Sequence, residues 1–427
     1  MRIRRARTFK GLKTRRESIV IIGGEGDFCT TAAAYCVGGK GITPARKFAR
    51  YNAEAKITGV QSIGYFDNIK AGVALTESGQ VYRWSDSASG AAFTDCGTAG
   101  THRTSPFECT YNSQPAAAVV SGTKILYVLQ NGSVEKDIPY ELKGACLHMG
   151  RIFAVDARSK YVVRWSGIEL NAWTQSSLGA GYISLNPVRG EIYRVVSMGE
   201  NLYVYREFGV DVIKAYGDPR HFAVAHQGSG EVTEKLEESA CAACGDKLYF
   251  CSQTNVYRFN GNTVERVKIP GCMKGKNYRN GSAFDGRYVD FYCERVTYGG
   301  SYQFEMDLQE GTFAFYALSM PCIWKTPTSF YGWKSNSVYR EDETAEDMSS
   351  SWRSDYFTLG DNRVKTLKSI YLESTGDIEI TVHADRITRR IKGGGSIPVD
   401  MSGRQFYFNV GGKGSVDLLR GEWEVRE

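Results

Sequence analysis

The sequence lacks any long uninterrupted run of apolar residues. The only apolar segment near its start is Ile19–Ile22, which is too short for the hydrophobic region of a secretory signal. No segment approaches the length that a membrane-spanning helix needs. Stretches with apolar residues at helical spacing are also missing, so we expect little helix. These absences exclude membrane-helix and helical-bundle classes, and we expect synthesis in a reducing cytoplasm.

Paired cysteines and clustered histidines are scarce as well. The eleven cysteines are an odd number without paired spacing, and most fall in strand-like segments, so we predict free thiols. Cys241 and Cys244 have the spacing of half a zinc site, but no second pair follows them, and we interpret them as structural. Of the five histidines only His221 and His226 lie near one another. The sequence therefore predicts no metal and no cofactor.

Phosphate-binding loops are incomplete in this chain. Gly24 and Gly26 follow an apolar strand, but Cys29 occupies the position of the third glycine of a dinucleotide fingerprint. The Gly-Gly-Lys-Gly segment at 38–41 lacks the Ser or Thr that follows lysine in a phosphate loop. A nucleophile elbow is also missing. We predict that the protein is not an enzyme.

Charge of one sign dominates only at the N-terminus. The net charge of +6 is mild for 427 residues and is not typical of a dedicated nucleic-acid binder. We interpret the first residues as a basic arm that binds a partner subunit or as a solvated tail, and both interpretations stay open. The basic residues that precede the first acid are Arg2, Arg4, Arg5, Arg7, Lys10, Lys13, Arg15 and Arg16.

The chain instead contains a strand pair that recurs. In each copy an apolar run meets a turn, and a second run follows it with an aromatic and a basic residue. Such hairpins, repeated about every 40–50 residues, are typical of a β-propeller. The starts near 125 and 151 are too close for separate blades, so six blades are favoured over seven. The copies lie at 71–84, 125–137, 151–165, 201–217, 247–261, 287–307 and 329–342.

Composition shifts divide this all-β chain into four parts. We predict an extended basic N-terminal arm with a lead-in strand at 1–56 and a propeller at 57–340. The acid-rich segment 341–351 cannot pack in a core and is interpreted as a linker. Residues 352–427 alternate apolar with polar positions between glycine-rich turns, which predicts a C-terminal β-sandwich domain.

Paired carboxylates on propeller loops could cleave or bind glycans, and this is the alternative function. The repeats carry neither the Ser/Asp/Gly turn of sialidase-like propellers nor the Trp-Asp marks of WD40 blades. A protein-binding propeller of the cytoplasm is a third hypothesis. The candidate carboxylates are Asp156, Asp211, Asp218, Glu231, Asp285 and Asp290.

Four segments carry a resemblance to a known family. They are ARKFARYNAEAKITGVQSIGY at 45–65, GRIFAVDARSKYVVRWSGIELNAWTQ at 150–175, IYRVVSMGENLYVYREFGVDVIKAYGD at 192–218 and WRSDYFTLGDNRVKTLKSIYLEST at 352–375. In this order they resemble the β-propeller tail proteins of bacteriophages, which are nozzle, hub or packaged-DNA stabilisation proteins. The cysteine content and the compressed second unit depart from that pattern.

The resemblance implies a structural virion protein without catalysis. Proteins of this family form homo-oligomeric rings, commonly hexamers, below the portal and adaptor, and the ring conducts or gates DNA during ejection. For this chain it implies assembly in the host cytoplasm and a final location in the virion tail. The partners implied are other copies of the chain, portal, adaptor or other tail proteins, and genomic DNA contacted through phosphate charge.

Overall fold

A computed structural model describes most of the chain as strands. The described residues are 14–22, 29–33, 35–38, 41–51, 57–86, 92–225, 230–295, 300–316, 320–342, 344, 351–354, 356 and 363–426. Within these ranges no helix is long and apolar enough to cross a membrane. The helical segments in them are single 3-10 turns at Ser176–Leu178, Pro187–Arg189, Pro219–His221 and Gly271–Met273.

The N-terminal part contributes five strands to the structure. They are β1 (Thr14–Ile22), β2 (Cys29–Ala33), β3 (Tyr35–Gly38), β4 (Gly41–Pro44) and β5 (Phe48–Arg50).

Six antiparallel sheets then follow around a common axis, as the sequence favoured. Sheet I contains β6 (Val60–Phe66), β7 (Ala71–Thr76), β8 (Gln80–Ser85) and β9 (Ala92–Thr98). Sheet II contains β10 (Phe107–Tyr111), β11 (Gln114–Leu129), β12 (Gly132–His148), β13 (Arg151–Asp156), β14 (Val162–Trp165) and β15 (Gly181–Ser184). Sheet III contains β16 (Ile192–Met198), β17 (Asn201–Arg206), β18 (Gly209–Lys214) and β19 (Ala223–Ala225).

The remaining three sheets continue the same up-and-down order. Sheet IV contains β20 (Leu236–Cys244), β21 (Lys247–Ser252), β22 (Val256–Phe259) and β23 (Val264–Arg266). Sheet V contains β24 (Gly275–Phe284), β25 (Tyr288–Arg295), β26 (Ser301–Asp307) and β27 (Thr312–Tyr316). Sheet VI contains β28 (Cys322–Lys325), β29 (Phe330–Lys334) and β30 (Ser337–Glu341), together with β5.

Sheet II holds two successive hairpin units. Tyr111 pairs with Gln114 at the start of β11, and its ring stacks on that of Tyr127 with the centroids 4.4 Å apart. A straight strand from Gln114 would place Tyr127 about 40 Å away, so the chain turns back within β11. The repeats that begin near 125 and 151 therefore share one sheet, which explains why the sequence allowed both six and seven blades.

An N-terminal strand closes the propeller. Strand β5 pairs with β30, with Phe48 opposite Glu341 and Arg50 opposite Tyr339. The first and last sheets then pack together through aromatic rings: Trp84 of sheet I lies 5.3 Å from Trp324 of sheet VI, centroid to centroid. Since both indoles are almost fully buried, this contact supplies apolar burial at the closure, where the two chain ends of the ring meet.

The C-terminal strands belong to a thirteen-stranded sheet that also includes sheet V. Strands β3 and β4 connect the two, because β27 pairs with β3 and β4 pairs with the last strand. Strands β1 and β2 also belong to this sheet, because each pairs with a strand of the C-terminal part. The C-terminal strands are β31 (Ser351–Ser354), β32 (Lys365–Ala384), β33 (Ile387–Lys392), β34 (Gly395–Gly403) and β35 (Phe406–Arg426).

The two long C-terminal strands fold over on themselves. Phe406 and Trp423 belong to the same strand, β35, yet their ring centroids are 4.4 Å apart. The bend occurs near Gly412 and Gly414, where an added Cβ would approach opposing carbonyl oxygens at 2.0 and 1.9 Å. Both halves of β35 thus face one apolar interior. The predicted sandwich as an independent domain stays a prediction, since the N-terminal strands are part of the same sheet.

Candidate functional site

The basic arm falls largely outside the described residues. Arg2, Arg4, Arg5, Arg7, Lys10 and Lys13 precede the first described residue, Thr14. Arg15 and Arg16 lie in β1, at register positions opposite Val425 and Glu424 of β35. From Thr14 onward the chain is therefore a strand of the C-terminal sheet rather than part of an extended arm, because the apolar run that follows pairs with β35.

The glycosidase hypothesis requires two carboxylates that converge in an open cleft. Asp156 instead accepts hydrogen bonds from the backbone of Arg158 and Ser159, and it pairs with Arg164 at 2.7 Å. These contacts fix the turn between β13 and β14. A carboxylate with three local partners stabilises its own hairpin.

Four further candidates have partners of their own. Asp211 pairs with the guanidinium groups of Arg189 and Arg206, both at 2.6 Å. Asp218 pairs with Arg220, and Asp285 pairs with Lys325. Hydrogen bonds from Arg220 hold the pKa of Asp218 below its usual range. Glu231 forms a backbone bridge with Gly209. Within the described part of the chain, no hydrogen bond or ion pair joins any two of these carboxylates.

Asp290 is the sixth candidate, and it does face a second carboxylate. It lies directly across from Glu305 in sheet V, and the two residues are 0% and 4% exposed. Burial raises the pKa of both groups, and for Asp290 the neighbouring Glu305 raises it further. Because the pair is closed to solvent, a glycan cannot reach it in this state.

The side chain of Arg46 contacts one member of this buried pair, Glu305. Its Nε atom contacts Glu305 at 3.1 Å and its Nη1 atom contacts Glu341 at 2.9 Å. The guanidinium contacts both the Tyr288 and the Phe330 ring, at 4.3 and 4.0 Å from their centroids. Arg46 lies two residues before β5, so these contacts anchor the strand that closes the propeller.

The cysteines and histidines do not form a metal site within the described ranges. Cys241 and Cys244 lie in β20 and belong to different apolar clusters, because residues three apart in a strand point to opposite faces. The eight cysteines whose side chains the structure describes are free thiols. His221 is exposed in a 3-10 turn, and His226 lies outside the described residues.

Exposed apolar side chains concentrate on sheets II and III. Six of the nine large apolar residues that are exposed lie between 149 and 216. Soluble proteins scatter such residues singly over their surface, and a concentration of them indicates a binding surface. Met149, Ile168 and Tyr216 lie at one end of sheets II and III, in the turn between β12 and β13 and in the loops after β14 and β18, and we call that end the II–III surface. Tyr161 and Val188 lie at the opposite end of the two sheets, and Tyr182 lies on the outer strand β15.

A cleft of about 500 Å³ lies on the II–III surface. It forms where the loops after β14 and β18 meet, with Ile168 at its edge, 70% exposed. Arg151 forms the floor and donates to the carbonyl oxygens of Ser166, Leu178 and Gly179 at 3.1–3.2 Å. These bonds hold the long loop after β14 in place. The cleft is therefore a preformed concave surface.

Charge surrounds the apolar part of this cleft. The Asp218–Arg220 pair lies at its rim, and the indole of Trp165 donates to the Gly179 carbonyl oxygen at 2.9 Å. An apolar centre with a polar rim is typical of protein–protein interfaces. Sequence reasoning missed this site, although Trp165 and Ile168 lie in one of the segments that carried the family resemblance.

The innermost strands of the sheets surround a narrow central channel of about 60 Å³. Each sheet contributes lining residues, and sheet II contributes twice, through Arg103–Ser105 and through Gly144. The strands approach closely here, since an added Cβ on Gly281 would lie 2.7 Å from the backbone nitrogen of Cys241. The channel has room for only a few waters, so a nucleic-acid strand could not pass through a single propeller.

Comparison with known proteins finds similarity only among solved structures. No protein-family model and no curated protein matches the chain. Similar solved structures include the WD40 repeats of RRP9, at 7% identity and a TM-score of 0.46, covering 69% of this chain and 99% of that one. The WD40 β-propeller domain of Doa1 is 10% identical with a TM-score of 0.47, covering 70% of this chain and 98% of that one.

The chain is an all-β propeller protein. The arrangement of its own sheets carries that statement. At such identities and TM-scores the likeness to WD40 structures indicates nothing about activity or partners.

Proposed function

We propose that this protein is a structural component of a bacteriophage tail, a nozzle or hub that binds other subunits and forms a ring for DNA passage. The observation that carries the proposal is the preformed cleft on the II–III surface, with the exposed Ile168 at its edge and the Asp218–Arg220 pair at its rim. An apolar cleft with a charged rim suits a protein partner better than a small polar substrate. The family resemblance of residues 150–175 and 192–218 supports the choice of partner class.

Rigidity of the propeller supports the same role. Neighbouring sheets bury large aromatic side chains against each other, and β5 joins the two ends of the ring. A closed body of this kind presents the II–III surface with little loss of conformational freedom on binding. Because the channel of one propeller is too narrow for nucleic acid, DNA would pass through the opening between subunits of the ring.

The mass of the protein in solution tests the proposal. We expect the purified chain, alone or with portal and adaptor proteins, to form a ring visible by negative-stain microscopy. Ile168→Asp should abolish ring formation and leave the melting temperature unchanged, because the side chain is exposed. Ile387→Asp is the matched control, since Ile387 is also exposed but lies in β33, and it should keep the ring.

Two outcomes would contradict this function. One is a wild-type protein that stays monomeric at all concentrations and binds none of the tail components. The other is cleavage of a host polysaccharide by the monomer, which would favour the glycan hypothesis.

The basic arm allows a separate test. Replacing Arg2, Arg4, Arg5 and Arg7 with Ser should weaken attachment to the partner ring without lowering the melting temperature, because all four precede the described sheet. Unchanged particle assembly would indicate a solvated tail instead.

A further inference from the structure

The central channel contains two arginines without a carboxylate partner. Arg103 donates from Nη1 to the side-chain oxygen of Asn280 at 2.5 Å, and Arg194 donates from Nη2 to the hydroxyl of Ser105 at 2.8 Å. Among the described residues, no Asp or Glu forms an ion pair with either guanidinium. The buried Arg206, by contrast, pairs with Asp211 at 2.6 Å.

The one acidic side chain that lines the channel does not change this balance. Glu238 accepts from Lys143 at 2.9 Å, so its charge is already matched. The lining therefore carries an excess of two positive charges within a space of about 60 Å³. Like charges confined away from bulk water repel each other strongly unless an anion lies between them.

Both arginines are directed to the same part of the channel. Arg103, Ser105 and Arg194 all line the same cavity. The hydrogen bond from Arg194 to Ser105 holds its guanidinium beside the segment that carries Arg103. The Nε atom of Arg194 is buried and has no hydrogen-bond partner within the described structure. An unmet buried donor is costly, and an acceptor in the channel would satisfy it.

Hydroxyl groups supply further donors at the same level. Ser105 accepts from Arg194, and Ser239 accepts from the backbone nitrogen of Asn280 at 3.2 Å. Each serine therefore keeps its own hydroxyl proton for another acceptor. Guanidinium groups and hydroxyls around a cavity of a few water volumes match a small tetrahedral oxyanion.

We propose that the central channel binds one small tetrahedral oxyanion of the phosphate class between Arg103 and Arg194. The anion would bridge three parts of the propeller. Arg103 lies just before the first strand of sheet II, Arg194 lies in sheet III and Ser239 lies in sheet IV. This inference is independent of the proposed tail function. A free anion fits the space, whereas a phosphoryl group attached to a longer chain would have to enter from one end of the channel.

Thermal unfolding in the presence of inorganic phosphate tests the site. We expect the melting temperature of the wild-type protein to rise with phosphate in a saturable way, as a ligand of the folded state requires. Arg194→Met should weaken the phosphate affinity at least about tenfold, because a charge-assisted hydrogen bond is lost. Arg258→Met is the control: Arg258 pairs with Glu265 on the exposed side of sheet IV, and its replacement should leave the affinity unchanged.

A second measurement does not depend on the variants. Titration of phosphate followed by ³¹P line broadening should show one saturable site on the wild-type protein. A short 5′-phosphorylated oligonucleotide competing with phosphate would assign the site to a chain-borne phosphoryl group, whereas absence of competition supports the free anion. Broadening that does not saturate, or an equal response of Arg194→Met and wild type, would overturn the proposal.

Discussion

Replacing Arg46 with Met should open the propeller at its closure. Methionine keeps an apolar stem against Tyr288 and Phe330 but removes the charge that faces Glu305 and Glu341. Breaking a buried ion pair by removing one partner costs roughly 3–5 kcal/mol. Loss of the cation–π contacts with the two rings adds about 1 kcal/mol. We expect a loss near the lower end, about 3 kcal/mol at pH 8, because Glu305 can take up a proton.

The dependence on pH distinguishes this mechanism from a simple loss of packing. Without Arg46, burial keeps the pKa of Glu305 above its value in the unfolded chain, where the usual value applies. The folded variant then binds more protons than the unfolded chain, so its stability falls as pH rises through the interval between those two pKa values. The penalty of Arg46→Met should therefore be larger at pH 8 than at pH 5.

Urea unfolding followed by tryptophan fluorescence measures this effect, since Trp84 and Trp324 are buried at the contact between sheets I and VI. Arg50→Met is the matched control on the same strand, because Arg50 is exposed. It should change the free energy of unfolding by less than about 0.5 kcal/mol. Glu305→Gln in the Arg46→Met background should recover part of the loss. A penalty equal to that of the control, or independent of pH, would refute the reasoning.

Three further predictions follow from buried groups. Asp290→Asn should raise the melting temperature, more at pH 8 than at pH 5, because burial raises the pKa of Asp290 and the folded state loses stability as that proton leaves; a loss of stability at pH 8 would contradict this. Gly281→Ala should destabilise the protein by about 2 kcal/mol or more, since its Cβ would meet the Cys241 backbone at 2.7 Å, and a calorimetric scan checks it. Ellman's reagent at pH 8 should label the buried thiols of Cys109, Cys241 and Cys322 slowly until the chain unfolds, because burial raises their pKa to about 12. Rapid labelling of these thiols in the native protein would contradict this.

Local patterns were sufficient to predict the hairpins. The segment 247–259 shows why: Lys247–Ser252 and Val256–Phe259 alternate side chains between two buried faces around a polar turn. Contacts within such a unit are close in sequence, so the residues that form them are visible together. Recurrence of the unit indicates a propeller.

Contacts between distant segments could not be predicted in this way. Strand β5 has only three residues, and its partner β30 lies near the other end of the propeller. No periodicity in Phe48–Arg50 distinguishes an edge strand from a linker. The same holds for Arg46 and Glu305, whose side chains meet only after the ring has closed.

The sequence also did not indicate which polar residues would lie close together in the folded protein. Six carboxylates were candidates for a glycan site, but each obtained its partners from its own fold environment, and Asp290 met Glu305 in the interior of sheet V. The charged groups of the channel were not singled out beforehand. Arg103 and Arg194 are far apart in the chain and meet through Ser105.

The amino-acid sequence by itself determined the all-β class, the hairpin unit and its repetition, because short-range alternation and turn chemistry fix a strand pair without outside help. Only the tertiary structure decided how the ring closes, which strands join the C-terminal sheet, where the apolar II–III surface lies and which charges remain unmatched at the axis. Those features depend on contacts across hundreds of residues, and such contacts arise from the packing of complete sheets.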